Sequence, residues 1–123
     1  MEIRNLDRAH LTREYGVDAE RLLPWSALNA PFEGAWCVLR AGDASTAHAH
    51  HEYEMFIAMT GCATLEVDGA RCEFVAGDIV YLIPGSTHRL INENAADFEY
   101  YGIWWDTDMS ATFLARHREG TRR

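Results

Sequence analysis

Two stretches of this chain decide its fold: residues 42–61 read GDASTAHAHHEYEMFIAMTG, and residues 77–92 read GDIVYLIPGSTHRLIN. The first stretch carries His48, His50 and Glu54, and the second carries His88. Glycines at positions 42, 61, 77 and 85 mark the turns around them, because glycine adopts positive φ at little cost. Three imidazoles and one carboxylate therefore occur at spacings that suit a single metal site.

The spacing of these residues has a physical logic. Successive side chains of a strand point to opposite faces, so His48 and His50 face the same way and Glu54 shares their parity, whereas His51 faces the surface. His88 comes from a distant segment, so the ligand set is complete only in the folded chain and not within one local loop. Imidazole and carboxylate ligands suit zinc, iron, manganese, nickel, cobalt or copper better than calcium or magnesium.

The two stretches resemble the two motifs of the cupin superfamily. The first motif, G-x5-H-x-H-x3-E-x6-G, is matched at every fixed position. The second, G-x5-P-x-G-x2-H-x3-N, is matched except that Ile83 replaces the proline, which shapes a turn and binds no metal. The resemblance implies an all-β, single-domain cupin: a double-stranded β-helix (jelly-roll) barrel with one divalent transition metal per chain. The ligands that it implies are His48, His50, Glu54 and His88.

Composition limits the classes of function. A chain of 123 residues with 48% hydrophobic residues has room for one globular domain and is not a disordered protein. Its net charge of −8 argues against nucleic acid as a partner. All eleven basic residues are arginine, so Schiff-base chemistry through lysine is excluded. No apolar run approaches a membrane span and the N-terminus is too charged for a secretory signal, so we expect a soluble cytoplasmic protein.

Periodicity and turn residues predict the order of elements. Strands are expected at residues 35–41, 45–50, 53–60, 62–68, 71–75, 78–83, 87–92 and 97–105. Asp106 or Asp108 is expected to cap a C-terminal helix that ends at Gly120. That helix would turn three apolar side chains inward: Met109, Phe113 and Leu114. The chain is accordingly divided into an N-terminal arm (1–33), the barrel (34–106), and a C-terminal helix and tail (107–123).

The three cysteines are expected to be buried free thiols. Asp68-Gly69 reads as a two-residue hairpin turn. Pairing across this turn sets residue 65 opposite Cys72 and Cys62 opposite residue 75. The register therefore keeps Cys62 away from Cys72.

The run YYGIWW at residues 100–105 is the candidate source of substrate contacts. One alternating set must face into the barrel, but parity does not say which, and core or dimer packing is the alternative role for both sets. We expect one tyrosine and one tryptophan to line the pocket, and take Tyr101 with Arg40 as candidate catalytic groups. If inward, Arg40 would anchor a substrate carboxylate; if outward, it is a surface charge. Other candidate inward residues are Trp36, Val38, Phe56, Ala58 and Tyr81.

A narrower resemblance concerns residues 50–56 (HHEYEMF) and 98–106 (FEYYGIWWD). These stretches look like a group of small cupins associated with methionyl-tRNA-synthetase-like proteins. The resemblance implies a zinc enzyme that joins two nitrogens, rearranging an ester between an N-hydroxylated lysine and a second amino acid into a hydrazine. The adenylating synthetase-like partner that makes the ester would be a separate chain.

Two other functions fit the same ligands. An Fe(II)-dependent dioxygenase would leave positions open for O2 and a small substrate. A non-catalytic sensor would tolerate a metal site with no open coordination position. A site that has lost its function would bind no metal. Resemblance to other small cupins also implies a homodimer, with the N-terminal arm and exposed aromatic residues as its contacts.

Overall fold

The computed structural model describes residues 1–121, which form nine β-strands and one α-helix. The strands are β1 Thr12–Glu14, β2 Val17–Arg21, β3 Phe32–Leu39, β4 Tyr53–Thr60, β5 Cys62–Val67, β6 Ala70–Val75, β7 Ile79–Leu82, β8 His88–Ile91 and β9 Phe98–Trp105. A short 3₁₀ turn covers Arg8–His10, and α1 covers Thr107–Thr121. The expected all-β class with one C-terminal helix is confirmed.

The strands form two antiparallel sheets that face each other. The larger has the order β1-β2-β3-β9-β4-β7, and the smaller has the order β6-β5-β8. Buried side chains of β2 to β9 form one apolar core, and where a strand contributes more than one of them they stand at alternate positions. Phe74 of the small sheet meets Phe98 of the large sheet, with ring centroids 5.9 Å apart. Burial of these side chains is the main favourable term for this fold.

The hairpin of β5 and β6 has the predicted register. Leu65 pairs with Cys72, and Cys62 pairs with Val75. Asp68 and Gly69 both have positive φ, as a two-residue hairpin turn with the twist of its strands requires. All three cysteines are free, as predicted. The expectation that all are buried is wrong, because Cys72 lies on an edge strand and is exposed, and Cys62 is only half-buried.

Residues 1–33 do not form a separate arm. β1 and β2 join the large sheet at one edge, and β3 already begins at Phe32, so the expected boundary after residue 33 falls inside a strand. The turn between β1 and β2 depends on Gly16, which has a φ of +82°. A Cβ there would lie 2.6 Å from the carbonyl oxygen of Ala44, so only glycine permits this close approach.

The segment 45–50, which carries two of the histidines, is not a regular strand. It joins β8 through isolated bridges between Ala44 and Ile91 and between His48 and His88. In the latter bridge, each backbone N–H donates to the other residue's carbonyl, at 3.2 and 3.0 Å. This bridge places two predicted ligands side by side.

The C-terminal helix begins as predicted and then departs from prediction. The Asp106 carboxylate accepts a hydrogen bond of 2.7 Å from the N–H of Asp108, which caps the helix. The helix continues through Gly120 to Thr121. Its apolar residues are not inward, because Met109, Phe113 and Leu114 are 50%, 62% and 45% exposed. Within residues 1–121, no helix has the length and apolar character to cross a membrane.

Candidate metal centre

The structure brings the four predicted ligands together. His48 and His50 lie on the irregular segment before β4, Glu54 lies near the start of β4, and His88 begins β8. One ligand atom from each of the four lies within 4.8 Å of the others. Glu54 and His88 are buried, and the other two are half-buried.

Each histidine of the cluster is oriented by a backbone carbonyl. The Nδ1 contacts are His48 to Thr46 O at 2.9 Å, His50 to Glu52 O at 3.2 Å, and His88 to Ser86 O at 3.3 Å. A carbonyl oxygen only accepts hydrogen bonds, so Nδ1 carries the proton in each ring. In the neutral ring the lone pair is then on Nε2. Metal-binding histidines are commonly held in this way.

The buried centre of the cluster also fits a cation. Nε2 of His88 lies 2.8 Å from Oε1 of Glu54, yet it is not aligned with any hydrogen-bond partner. Nε2 of His50 lies 3.3 Å from the same oxygen. No arginine pairs with Glu54 among the described residues. One buried carboxylate and three imidazole lone pairs form a donor set for a divalent transition metal.

A cavity of about 540 Å³ lies next to this cluster, and most of its lining residues belong to the large sheet. Its deeper wall is mostly apolar and includes Val17, Ala19, Ala35, Phe56 and Gly102. Its mouth has polar and aromatic side chains: Glu14, Tyr15, Arg21, Glu52 and Trp104. The ring of Tyr15 stacks on that of His48, with centroids 5.3 Å apart. The site is thus an apolar barrel interior with a polar rim, as small-molecule sites often are.

Two protonated side chains line the cavity beside the cluster. Tyr100 is buried, and burial raises the pKa of its phenol well above the usual value. Burial raises the pKa of the Cys37 thiol to about 12. Both groups therefore stay neutral near pH 7. Tyr100 packs against Phe56, with ring centroids 4.9 Å apart, and its hydroxyl lies beside the Cys37 thiol.

The expected catalytic pair does not reach the cavity. On β9, Tyr100 and Trp104 face inward, and Tyr101 faces the other side of the sheet, against Gly34. The Arg40 guanidinium pairs with Asp18 at 2.8 Å and with Asp97 at 3.0 Å. This geometry corrects the sequence-based choice of Tyr101 and Arg40.

The inward face of two other strands also differs from expectation. On β3, Ala35 and Cys37 line the cavity, whereas Trp36 and Val38 lie on the opposite face. Both faces of this strand are buried, so its sequence shows no alternation that could set the parity. On β7, Tyr81 is 54% exposed and points away from the core. Phe56 and Ala58 do point inward, as expected.

Arg21 is the rim residue that sequence analysis missed. It ends β2, lines the cavity, and binds the Glu14 carboxylate with two donors, Nε at 3.1 Å and Nη2 at 2.9 Å. Its guanidinium lies 5.6 Å from the ring centroid of Trp104. The hydrogen bonds to Glu14 raise its pKa further, and an arginine side chain stays charged in proteins in any case. The sequence signal for this role is the alternation of Val17, Ala19 and Arg21, which lies within the segment 1–33 that was expected to be an arm.

Comparisons with known proteins agree with this geometry. The sequence model of a family described as Cupin domain matches residues 35–105. A Cupin 2 conserved barrel domain protein from Salinispora arenicola is 54% identical over 95% of this chain and 98% of its own, with a TM-score of 0.85. The plu4264 protein from Photorhabdus luminescens is 40% identical over 94% and 97%, with a TM-score of 0.84. A predicted oxalate decarboxylase from Thermotoga maritima, 21% identical over 83% and 98% with a TM-score of 0.69, shares the fold alone.

Proposed function

This chain belongs to the cupin domain family, and on that premise we propose that it is a metal-dependent enzyme acting on a small molecule. One divalent transition metal would be held by the cluster of three histidines and Glu54. The observation that carries the proposal is the convergence of one ligand atom from each of three oriented histidines on a buried carboxylate beside an open cavity. A site that is open on one side leaves room for substrate next to the metal.

Other residues of the cavity would exclude water, donate a hydrogen bond and bind the charged groups of the substrate. The apolar wall excludes water from the bound molecule, which strengthens electrostatic contacts within the cavity. Tyr100 keeps its proton and can donate a hydrogen bond to a developing anion. Arg21 can exchange Glu14 for a substrate carboxylate, because both bind the same planar fork of donors. Glu52 at the same rim offers a carboxylate to an ammonium group.

We further propose the specific reaction implied by the resemblance of residues 50–56 and 98–106 to the small cupins associated with methionyl-tRNA-synthetase-like proteins: rearrangement of an N-hydroxylated lysine–amino acid ester to a hydrazine. The amine of the second amino acid attacks the hydroxylamine nitrogen, so an N–N bond forms as the N–O bond breaks. The electron pair of the N–O bond leaves with the carboxylate, and the attacking amine gives up a proton, so no external oxidant is needed. Zinc, when bound, would supply Lewis acidity for the departing carboxylate.

Cavity size and rim chemistry support this substrate class. A volume of about 540 Å³ is within the usual range for sites that take ligands of this size. The rim holds one guanidinium and two carboxylates, which matches the carboxylate and ammonium groups of linked amino acids. The barrel residues need only hold the two nitrogens in line, because the N–O bond is intrinsically weak.

The test is to incubate the zinc-loaded protein with such an ester and identify products by mass spectrometry. Hydrazine formation that disappears in a Glu54→Ala variant is the expected result. Hydrolysis alone would contradict the N–N reaction. Oxygen consumption by the iron-loaded protein with candidate substrates would favour the dioxygenase alternative, and metal binding without turnover of any substrate would favour the sensor.

A further inference from the structure

The turn between β1 and β2 contains a residue that its backbone conformation disfavours. Glu14 pairs with Val17, so Tyr15 and Gly16 form a two-residue hairpin turn, and their φ angles are +51° and +82°. Glycine, asparagine and aspartate are the usual residues of such turns, and the β5–β6 hairpin has Asp68 at the equivalent place. A large side chain at positive φ is rare and strained, and strain of this kind is concentrated at functional sites. The turn alone therefore does not explain a tyrosine here.

The ring of Tyr15 lies against a residue of the candidate metal centre. It stacks on the imidazole of His48, with ring planes inclined by 29°. The imidazoles of His88 and His50 lie 4.6 and 5.5 Å from that of His48, measured between centroids, so Tyr15 adds a fourth ring to the cluster. Tyr15 is 61% exposed, and a side chain this exposed gains little from burial. Core packing therefore does not explain the place of this ring either.

The backbone of Tyr15 supports the same histidine. The carbonyl of Tyr15 accepts a hydrogen bond of 2.7 Å from the N–H of Thr46, and the carbonyl of Thr46 accepts one of 2.9 Å from Nδ1 of His48. The turn also lies close to the residues before Thr46, because a Cβ on Gly16 would be 2.6 Å from the carbonyl oxygen of Ala44. The β1–β2 turn therefore contacts the segment that carries His48 through both its backbone and the ring of Tyr15.

His48 has less support from the rest of the cluster than the other two histidines have. Oε1 of Glu54 lies 2.8 Å from Nε2 of His88 and 3.3 Å from Nε2 of His50, and among the described residues no ion pair joins Glu54 to His48. His88 is buried on β8, whereas His48 is half-buried on a segment that is not a regular strand. A side chain that must be ordered when a ligand binds lowers the affinity. Whatever holds His48 in place should therefore contribute to metal affinity.

We propose that Tyr15 is a positioning residue of the metal centre, which stacks on His48 and keeps that imidazole within the ligand cluster. This inference rests on the metal centre of the proposed function. The stack raises metal affinity only if it is stronger in the metal-bound state than in the metal-free state. An imidazole bound to a cation is electron-poor, and the face of a phenol ring is electron-rich, so the bound state has the stronger contact. The strained turn is retained because it places an aromatic ring at this position.

The test is a titration of the metal-free full chain with cobalt(II), followed by the visible absorption of the bound ion, which reports affinity and coordination geometry together. Tyr15→Leu keeps the strained turn and removes the aromatic face, so it is expected to lower the affinity by roughly 3- to 10-fold and to shift the absorption bands. Tyr15→Phe keeps the face and is expected to retain both wild-type values. Tyr81→Leu is the matched control, because Tyr81 is also an exposed, stacked tyrosine but points away from the core.

A further variant separates this role from a merely structural one. Tyr15→Asn gives the turn a residue that suits positive φ, so the melting temperature of the metal-free variant is expected to equal or exceed that of the wild type. Its cobalt affinity is expected to fall as in Tyr15→Leu. Wild-type affinity in the Leu and Asn variants, or an equal loss in Tyr15→Phe, would overturn the inference and leave the metal centre standing. A wild-type chain that binds no cobalt would overturn the inference and the metal centre together.

Discussion

At the scale of single residues, the metal centre depends on which ring nitrogen of each histidine is free. Three backbone carbonyls hold the Nδ1 protons of His48, His50 and His88, so coordination requires no change of tautomer. Such preorganisation lowers the cost of ordering ligands when a metal binds. Ligand identity could be predicted from spacing because it depends on two local motifs, although the segment that carries His48 and His50 is not a regular strand. The orienting carbonyls could not, since backbone groups carry no sequence signal.

Removing one imidazole should abolish tight metal binding. His88→Ala is expected to lower affinity for zinc by on the order of 100-fold or more, because it deletes a ligand in the buried part of the site. Titration against a chromogenic chelator measures the change. His51→Ala is the control, since His51 is exposed and outside the cluster. An affinity that is equal in both variants would show that the cluster is not the metal site.

Arg21 is expected to set affinity for the substrate's carboxylate. Arg21→Gln should raise KM by roughly 10- to 100-fold, because a charge-assisted hydrogen bond contributes about 1.5–3 kcal/mol. kcat should change less, since Arg21 lies at the rim. Arg40→Gln is the matched control, because Arg40 pairs with Asp18 and Asp97 away from the cavity. Steady-state kinetics with the ester and with its carboxamide analogue would measure both effects, and an unchanged KM in Arg21→Gln would contradict this role.

At the scale of elements, the cavity depends on a hairpin that has little sequence signal. β1 and β2 are three and five residues long, and only Val17 and Ala19 of β2 are buried. The contact that fixes this hairpin on the barrel is the approach of Gly16 to Ala44, which no local pattern reveals. The β5–β6 hairpin, in contrast, was predictable to the residue because its turn chemistry sets its register.

Gly16 and Gly42 provide a matched pair for measuring that contact. Both have a φ of +82°, but an added Cβ would meet Ala44 O at Gly16 and nothing within 4 Å at Gly42. Gly42→Ala should lower the free energy of unfolding by about 1–2 kcal/mol through backbone strain alone. Gly16→Ala should cost about 1–3 kcal/mol more, because the hairpin must shift. Chemical denaturation measures both, and equal losses would contradict the close approach.

At the scale of the whole molecule, Asp97 joins separate parts of the chain. Its carboxylate accepts hydrogen bonds from the N–H of Ala41 and from Arg40 and Arg8. These hydrogen bonds lower the pKa of Asp97 below the ordinary value of an aspartate, and the bond from Ala41 has the largest effect. A depressed folded-state pKa adds stability above the unfolded-state pKa, and that stability is lost as the pH falls through the folded-state value.

Asp97→Asn should therefore flatten the acid side of the stability profile. At pH 7 the variant is expected to be less stable than the wild type, and the difference should shrink as the pH falls below about 4. Thermal melts from pH 7 down to about pH 2.5, which spans the carboxylate titration, measure this. A difference that stays constant over that range would mean that the carboxylate charge does not contribute.

The positions of most barrel strands along the chain were predictable, although 45–50 is not a regular strand, because glycine turns and alternation are local. The edge strands β1 and β2, the inward face of β3 and the exposed side of α1 were not, because they depend on contacts between distant segments. Function shows the same difference between features that follow from local sequence and features that depend on contacts between distant segments. The motifs indicate a metal, and the rim chemistry that selects a substrate becomes visible only after Arg21, Glu52 and Trp104 meet at the cavity mouth.

The central claim is that these four side chains hold a metal, and the most direct test is the metal content of the protein purified without an affinity tag or added metal. Elemental mass spectrometry is expected to find about one transition metal per chain, mostly zinc, and to find it lost in Glu54→Ala. Near-stoichiometric iron would support the metal centre and would favour the dioxygenase alternative over the N–N reaction. A wild-type chain that contains little metal and takes up none on reconstitution would contradict the account.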